Sequence, residues 1–493
     1  MKKLIYTTAL CLCSCMAMAQ FQTTYDALAA SASELNGTAR FVAVGGAMGA
    51  LGGDATCVAY NPAGIGVYRS SELTITGNIH WTNSSMNAQY ANTYIDANLA
   101  NVAYIGTWLN PKEKGLISLN FGITYNRTKN FSREVRYNGT ASNSLTQFYA
   151  QDADGIRPEF FLLPYDEQLN ASDVSYRSVL GYKGGMFSPI DGTNSYASSF
   201  ETSGAQSVNT NIHFTEFGYN DEYALSIGGN VANVLYWGMS FNCDYLWYKK
   251  RVSYRENVPG SYDYDLSHSY QLEGSGCTYQ VGAIVRPTNW LRIGAAFHTP
   301  TWFFLKDYSY SDMYSNGHLV ADIPSSSYLY DLQTPLKALG SLGFVLGKFG
   351  FIGIDYEYSN YHLGMVLTGA LPEMQAATNY NLSDVHKVRV GMEFKPIESL
   401  ALRLGGGYSF PYTNADASRY MYGNDVRCDT DFYNEKSSYN ATAGIGYRIG
   451  RHAIDLAYVW QVNEADYYSF PGSDPIALRS VRNQIVFSYG IRF

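Results

Sequence analysis

Past residue 70 the chain alternates apolar and polar residues with period two, the signature of strands with unlike faces. Leu235, Trp237, Met239, Phe241, Cys243, Tyr245 and Trp247 share one face, against Tyr236, Gly238, Ser240, Asn242 and Asp244 on the other. Ile117, Leu119, Phe121, Ile123 and Tyr125 repeat the pattern against Ser118, Asn120, Gly122, Thr124 and Asn126. Such segments lie near 71–83, 98–109, 115–127, 213–232, 235–255, 268–286, 290–308, 328–347, 350–363, 383–395, 399–412, 435–448, 452–466 and 480–493. That makes fourteen, an even count, as closure of a single-chain antiparallel barrel in a bacterial outer membrane requires. A soluble β-sandwich alternates too, but its solvent face carries charge where this chain carries Leu, Ile, Phe, Trp and Tyr. The pattern predicts an all-β fold: a 14-stranded antiparallel transmembrane β-barrel with apolar faces toward lipid and small polar faces toward a lumen.

The connections agree. Short turns are predicted at 110–115, 233–234, 287–289, 348–349, 395–398 and 450–451, with longer polar stretches between them, the longest from 127 to 211. Short periplasmic turns alternating with long extracellular loops are what such barrels have. The strand over 484–493 ends in Phe493 on its lipid-facing register and resembles the signal read by barrel-assembly machinery, an expected partner in biogenesis. Within the long loop, 144–150 and 158–164 read as short amphipathic pieces. The cluster Phe160, Phe161, Leu162 and Leu163 is either a loop core or a surface groove that first captures a hydrophobic ligand.

The barrel pattern starts late. Lys2 and Lys3, the apolar run to Leu12 and Ala17-Met18-Ala19 form a secretory signal over 1–19, with the mature chain starting at Gln20. A buried N-terminal helix and a lipoprotein signal at Leu12-Cys13-Ser14-Cys15 are the competing readings. Residues 20–70 are rich in Gly and Ala, including Gly45, Gly46, Asp54 and the Asn61-Pro62-Ala63 element. Tight turns and close packing of this kind suit a compact plug, or hatch, inside a barrel spanning 71–493.

Composition narrows the class. Charged residues make up 15% of the chain, against about 25% in typical soluble proteins, and Tyr occurs 44 times in 493 residues. Interfacial aromatic girdles and a small-residue lumen produce that bias. The net charge of −8 speaks against a nucleic-acid partner. Cys11, Cys13 and Cys15 leave with the signal; Cys57, Cys243, Cys277 and Cys428 have neither CxxC nor metal-ligand spacing, so no metal and no cofactor is expected. Cys243 and Cys277 sit on neighbouring strands, either as a disulfide or as two inert thiols. No GxSxG, HExxH or recognisable carboxylate pair points to an enzyme.

Lumen parity places Asp244, Arg292, Asp355, Glu357, Lys387, Arg389, Glu393, Arg403, Asp455 and Arg492 inside. Isolated charges are costly in a narrow bore, so these are expected to pair with one another or with the plug. Arg292, Arg389 and Arg403 are the candidates for gripping a ligand carboxylate, because a guanidinium fork fits it. Phe21, Phe41 and Met48 are apolar plug residues that either pack the plug or contact an apolar tail.

Gly37-Thr38-Ala39-Arg40 ahead of the Gly-rich run, Asp54-Ala55 five residues before Asn61-Pro62-Ala63, and the barrel behind them resemble the FadL/TodX family of outer-membrane channels for long-chain fatty acids and other hydrophobic compounds. Arg286-Pro287-Thr288-Asn289-Trp290-Leu291-Arg292-Ile293-Gly294, His298-Thr299-Pro300 and Thr334-Pro335 look like that family's turn and strand signatures. The resemblance covers the mature chain. It implies a monomeric, hatch-stoppered barrel in the outer membrane of a Gram-negative bacterium, in contact with its lipid. It also implies passive uptake of a fatty acid-like molecule by loop capture, lumen binding and hatch-gated release through the wall. A general porin and a surface-binding or adhesive barrel are the alternatives; a porin has no use for a Gly-rich plug.

Overall fold

The computed structural model describes residues 23–90, 93–111, 115–165, 174–423 and 425–493. The signal over 1–19 and Phe21 lie outside them. Fourteen antiparallel wall strands follow one another around a barrel: β1 (Glu72–Met86), β2 (Tyr94–Leu109), β3 (Leu116–Ala141), β4 (Val208–Val231), β5 (Leu235–Asn257) and β6 (Asp263–Val285). Next come β7 (Leu291–His298, resuming at Trp302–Ser315), β8 (Ser326–Gln333, resuming at Lys337–Val345), β9 (Gly350–Ser359) and β10 (Val385–Ile397). The ring ends with β11 (Leu400–Ser409), β12 (Phe432–Ile449), β13 (His452–Tyr468) and β14 (Ile476–Arg492). β14 closes on β1 from Glu72↔Arg492 to Met86↔Leu478, so the sheet has no free terminal edge.

Outside and inside divide by parity. Leu73, Ile75 and Ile79 of β1, Leu402 and Leu404 of β11 and Ile485 and Phe487 of β14 are exposed, while Thr74, Thr76, Asn78, His80 and Thr82 of β1 are buried in the lumen. Each such aliphatic or aromatic side chain is worth about 2 kcal/mol in hydrocarbon relative to water. A continuous band of them is stable only in a bilayer, and a closed bacterial barrel of this build belongs in the outer membrane. Trp108, Trp290, Phe349 and Tyr447 stand exposed beside the short turns, where an interfacial girdle is expected.

The largest boundary difference from the sequence reading is at the long loop. Residues 127–141 and 208–211 are strand, not loop, and the long loop is 142–207. A bulge between Arg127 and Lys129 leaves Thr128 without a ladder partner on β4, its hydroxyl donating instead to the Asn220 carbonyl at 3.0 Å. The bulge switches lumen parity, from Asn120, Thr124 and Asn126 below it to Phe131, Val135 and Tyr137 above it. A pattern sought in a single parity ends there. Two further ladder breaks, at 299–301 and 334–336, fall at Pro300 and Pro335, which have no N–H to donate.

The expected amphipathic loop pieces are the helix Leu145–Ala153 and the 3₁₀ turn Pro158–Leu162. They build an extracellular core with the tops of β3 to β6, including Val135, Phe214, Tyr254 and Leu266. Cys243 and Cys277 face each other across β5 and β6 as free thiols, sulfurs 3.8 Å apart.

Candidate functional site

The hatch occupies the bore. It consists of α1 (Thr24–Ser31), α2 (Ala39–Ala43) and two 3₁₀ turns, Thr56–Ala59 and Pro62–Val67. Phe41 and Met48 are wholly buried in its core with Val42, Val44 and Leu51. Gly45 and Gly46 take φ of +62° and +78°, the left-handed region open to Gly, and turn the chain back under α2. Asp54 ties the ends together: Thr38 Oγ1 donates to its two oxygens at 2.8 and 2.9 Å, and the Thr56 N–H donates at 2.9 Å. Burial nevertheless pushes the Asp54 carboxyl above its ordinary range. Asn61 donates from Nδ2 to the Gly49 carbonyl at 2.7 Å and accepts from the Ala63 N–H at 3.1 Å, while Pro62 opens the last turn.

The wall is shaped to receive this hatch. Gly122, Gly228, Gly238, Gly282, Gly294, Gly343, Gly353, Gly391, Gly405 and Gly444, one from each strand β3 to β12, all face it. A Cβ at Gly238 would lie 2.2 Å from the Pro62 carbonyl oxygen, at Gly353 2.1 Å from that of Ala47, and at Gly391 2.1 Å from that of Val44. At these three the contact is hatch backbone against wall, too close for any side chain, while Gly122, Gly228 and Gly343 make room for the Ile65 and Leu51 side chains. The sequence reading missed this belt, although one lumen-parity Gly per strand was there to be seen.

Charge fixes the hatch as well. Glu393 accepts from Arg403 Nε at 2.7 Å and from Arg40 of the hatch at 3.3 Å, and Arg403 reaches Asp455 at 2.6 Å. Arg389 pairs with Glu357 at 2.6 Å and lies 5.0 Å over the Tyr60 ring. Arg292 donates to the Leu51 carbonyl at 2.6 Å, and Asp355 accepts from the Gly49 N–H at 2.9 Å. Of the three proposed arginines, Arg389 lines a lumen cavity, Arg403 a pocket beside Glu72 and Arg492, and Arg292 is spent on the hatch.

At the extracellular end Arg427, in the loop after β11, pairs with Asp26 of α1 at 2.6 Å and with Asp429 at 2.7 Å. Burial works against ionised Asp429, but Arg419 and Arg427 outweigh it and hold its carboxyl well below the ordinary range. For Asp425 burial prevails over Arg177, pushing it up to about 6. Phe161 is fully buried in the loop core against Tyr182, Phe187 and Tyr196. Phe160 is half-buried beneath Arg157, Leu163 is half-buried, and Leu162 is 67% exposed.

The wall is not sealed everywhere. β2 and β3 pair only from Leu109↔Ser118 to Asn101↔Asn126. Above that level the backbone ladder of residues 94–99 runs to β1, and β3 turns inward past them, reaching β2 through side chains, Asn130 Nδ2 to Asp96 and Tyr125 Oη to the Leu99 carbonyl, each at 3.4 Å. His80 Nε2 on β1 lies 2.6 Å from Ser132 Oγ, and Arg482 on β14 donates to the Asn130 carbonyl at 2.9 Å. A cavity of about 130 Å³ lies against this bend, lined by Lys129 to Arg133, Tyr433, Arg482 and the hatch residues Ala32 to Glu34. Glu34 links the parts: its N–H donates to the Thr128 carbonyl at the bulge, and its carboxylate binds Arg482. Two further cavities, of about 70 and 60 Å³, share Ser33 with the first. The hatch elbow between α1 and α2 is therefore the hub of the open space.

Solved channels share this architecture. A Pseudomonas aeruginosa FadL homologue is 12% identical, with 94% of this chain and 99% of that one covered and a TM-score of 0.55. The P. putida toluene transporter TodX is 12% identical, covering 93% and 99%, at a TM-score of 0.51. The TodX deltaS2S3 mutant monoaromatic hydrocarbon channel is also 12% identical, covering 93% and 99%, at 0.52. No protein-family model and no curated protein matches the chain. The fold expected from the Gly37 to Ala63 motifs is thus the fold these channels have.

Proposed function

We propose that this protein is an outer-membrane channel for passive uptake of hydrophobic small molecules, released sideways into the bilayer between β2 and β3. The inward bend of β3 carries this reading. It interrupts the wall ladder at a cavity that touches the hatch, and a molecule taking that path never crosses the polar periplasmic end. Ile95 and Leu99 stand exposed on the β2 side of the interruption, an apolar threshold toward lipid. The hatch blocks the straight route, which suits a porin poorly. The names of the similar channels, a FadL homologue and a toluene transporter, support a hydrophobic cargo. Capture falls to the exposed Leu162 and its neighbours Phe160 and Leu163, and Arg389 is the lumen arginine placed to meet a polar ligand end. Gating is assigned to the elbow at Ser33 and Glu34, whose shift would free the cavity from the bulge.

Deleting Thr128 tests the route. It removes the residue that has no ladder partner yet keeps Phe131 and Val135 inward and β3 in register with β4, so the strand should straighten and seal against β2. Uptake of a hydrophobic probe by cells expressing the variant should fall at least tenfold while the barrel still runs as a heat-modifiable folded band. Undiminished uptake would exclude exit through this wall.

A further inference from the structure

We infer that the cavity beneath the breaks in β7 and β8 is a subsite for the amine head of an amphiphile, which refines the channel reading and rests on it. Two carboxylates face each other there, Glu222 on β4 and Asp244 on β5, in directly opposed ladder positions. Like charges so placed repel, and both are more than nine-tenths buried, at 6% and 8% exposure. Glu222 is partly satisfied by the Asn242 and Asn126 amides at 2.7 and 3.3 Å. Asp244 Oδ2 has no hydrogen-bond partner among the described residues, and neither has Gln280 Oε1, a side chain 3% exposed on the same cavity. The ammonium among the lining residues belongs to Lys337, which stands in no ion pair within 4.0 Å with either carboxylate among the described residues.

Opposed buried carboxyls hold a proton between them when no further cation is near, and a cation entering beside Lys337 displaces that proton to water, leaving two carboxylates against two positive charges. The unpartnered acceptors ask for N–H donors on that cation, and a primary ammonium supplies three. Ala30, Ala32, Phe303 and Pro335 on the same cavity give the start of an aliphatic or aromatic tail an apolar seat. The carboxylate of a free fatty acid placed here would face two acidic side chains and bring no N–H donor to their oxygens.

The test uses the full mature protein in a neutral detergent with octylamine, octanol and octanoate as titrants, read by calorimetry at pH 7. Octylamine should bind at least tenfold tighter than octanoate. Asp244→Asn and Glu222→Gln should each weaken octylamine about tenfold or more and leave octanol unchanged, whereas Lys337→Met should tighten octylamine. Heat-modifiable mobility confirms that each variant is folded, and the opposite sign expected for K337M guards against general loosening. Octanoate binding as tightly as octylamine, or octylamine indifferent to D244N, overturns the subsite while leaving the channel reading intact if octanol binds. Binding of none of the three overturns both.

Discussion

The Asn61 amide lies in a dry contact, fully buried, with bonds to Gly49 and Ala63 that close the hatch onto itself and a longer one, 3.5 Å, to the Ala283 carbonyl of β6. Truncation to Ala strands a carbonyl and an N–H away from water, each costing about 1–3 kcal/mol. Asn61→Ala should therefore loosen the hatch without unfolding the barrel. The expected readout is increased entry of a large antibiotic such as vancomycin into expressing cells, together with faster proteolysis of 23–70 in the purified protein; unchanged values for both would remove Asn61 from the hatch lock. Asn61 stood out in the sequence through its motif, and Arg389 and Arg403 through parity. Glu222 and Lys337 were equally available by parity and were passed over. Alternation tells which face a residue takes; it does not tell which opposed residue it meets, and it is the Glu222↔Asp244 register that makes the acidic pocket.

At the scale of elements, the glycine belt and the β3 bulge do opposite things to the wall. The belt lets β3 to β12 approach the hatch closely, whereas the bulge pulls β3 away from β2. Ladder hydrogen bonds hold the barrel whether or not the hatch fits, so a side chain in the belt should expel the hatch rather than prevent assembly. Gly238→Val, whose Cβ would fall 2.2 Å from the Pro62 oxygen, should raise antibiotic permeability and still give a folded barrel. Gly340→Val, where nothing lies within 4 Å of the added carbon, should be silent. Equal behaviour of the two variants would mean that the hatch is not seated on the belt. The strands themselves were readable to within a few residues. The upper half of β3 was not, because one residue without a ladder partner, Thr128, inverts the parity on which the reading depended.

For the whole molecule, the stoppered bore sets an electrical expectation. In planar bilayers the intact protein should carry little steady current, since hatch and loop core obstruct the lumen at different heights. A chain lacking 20–70 should conduct strongly, and a large open conductance of the intact protein would favour a general porin. What the sequence determined alone was local and periodic: the alternation, the even strand count, the short turns and the Gly-rich leader together dictate a lipid-facing cylinder with something compact inside it. Only the tertiary structure decided where the wall ladder is interrupted, which arginines the hatch consumes, and that Glu222, Asp244, Gln280 and Lys337 share a cavity. The reason is physical: side-chain period is a property of each strand, but cavities and charge balance depend on relative strand register and on backbone contacts between residues hundreds of positions apart.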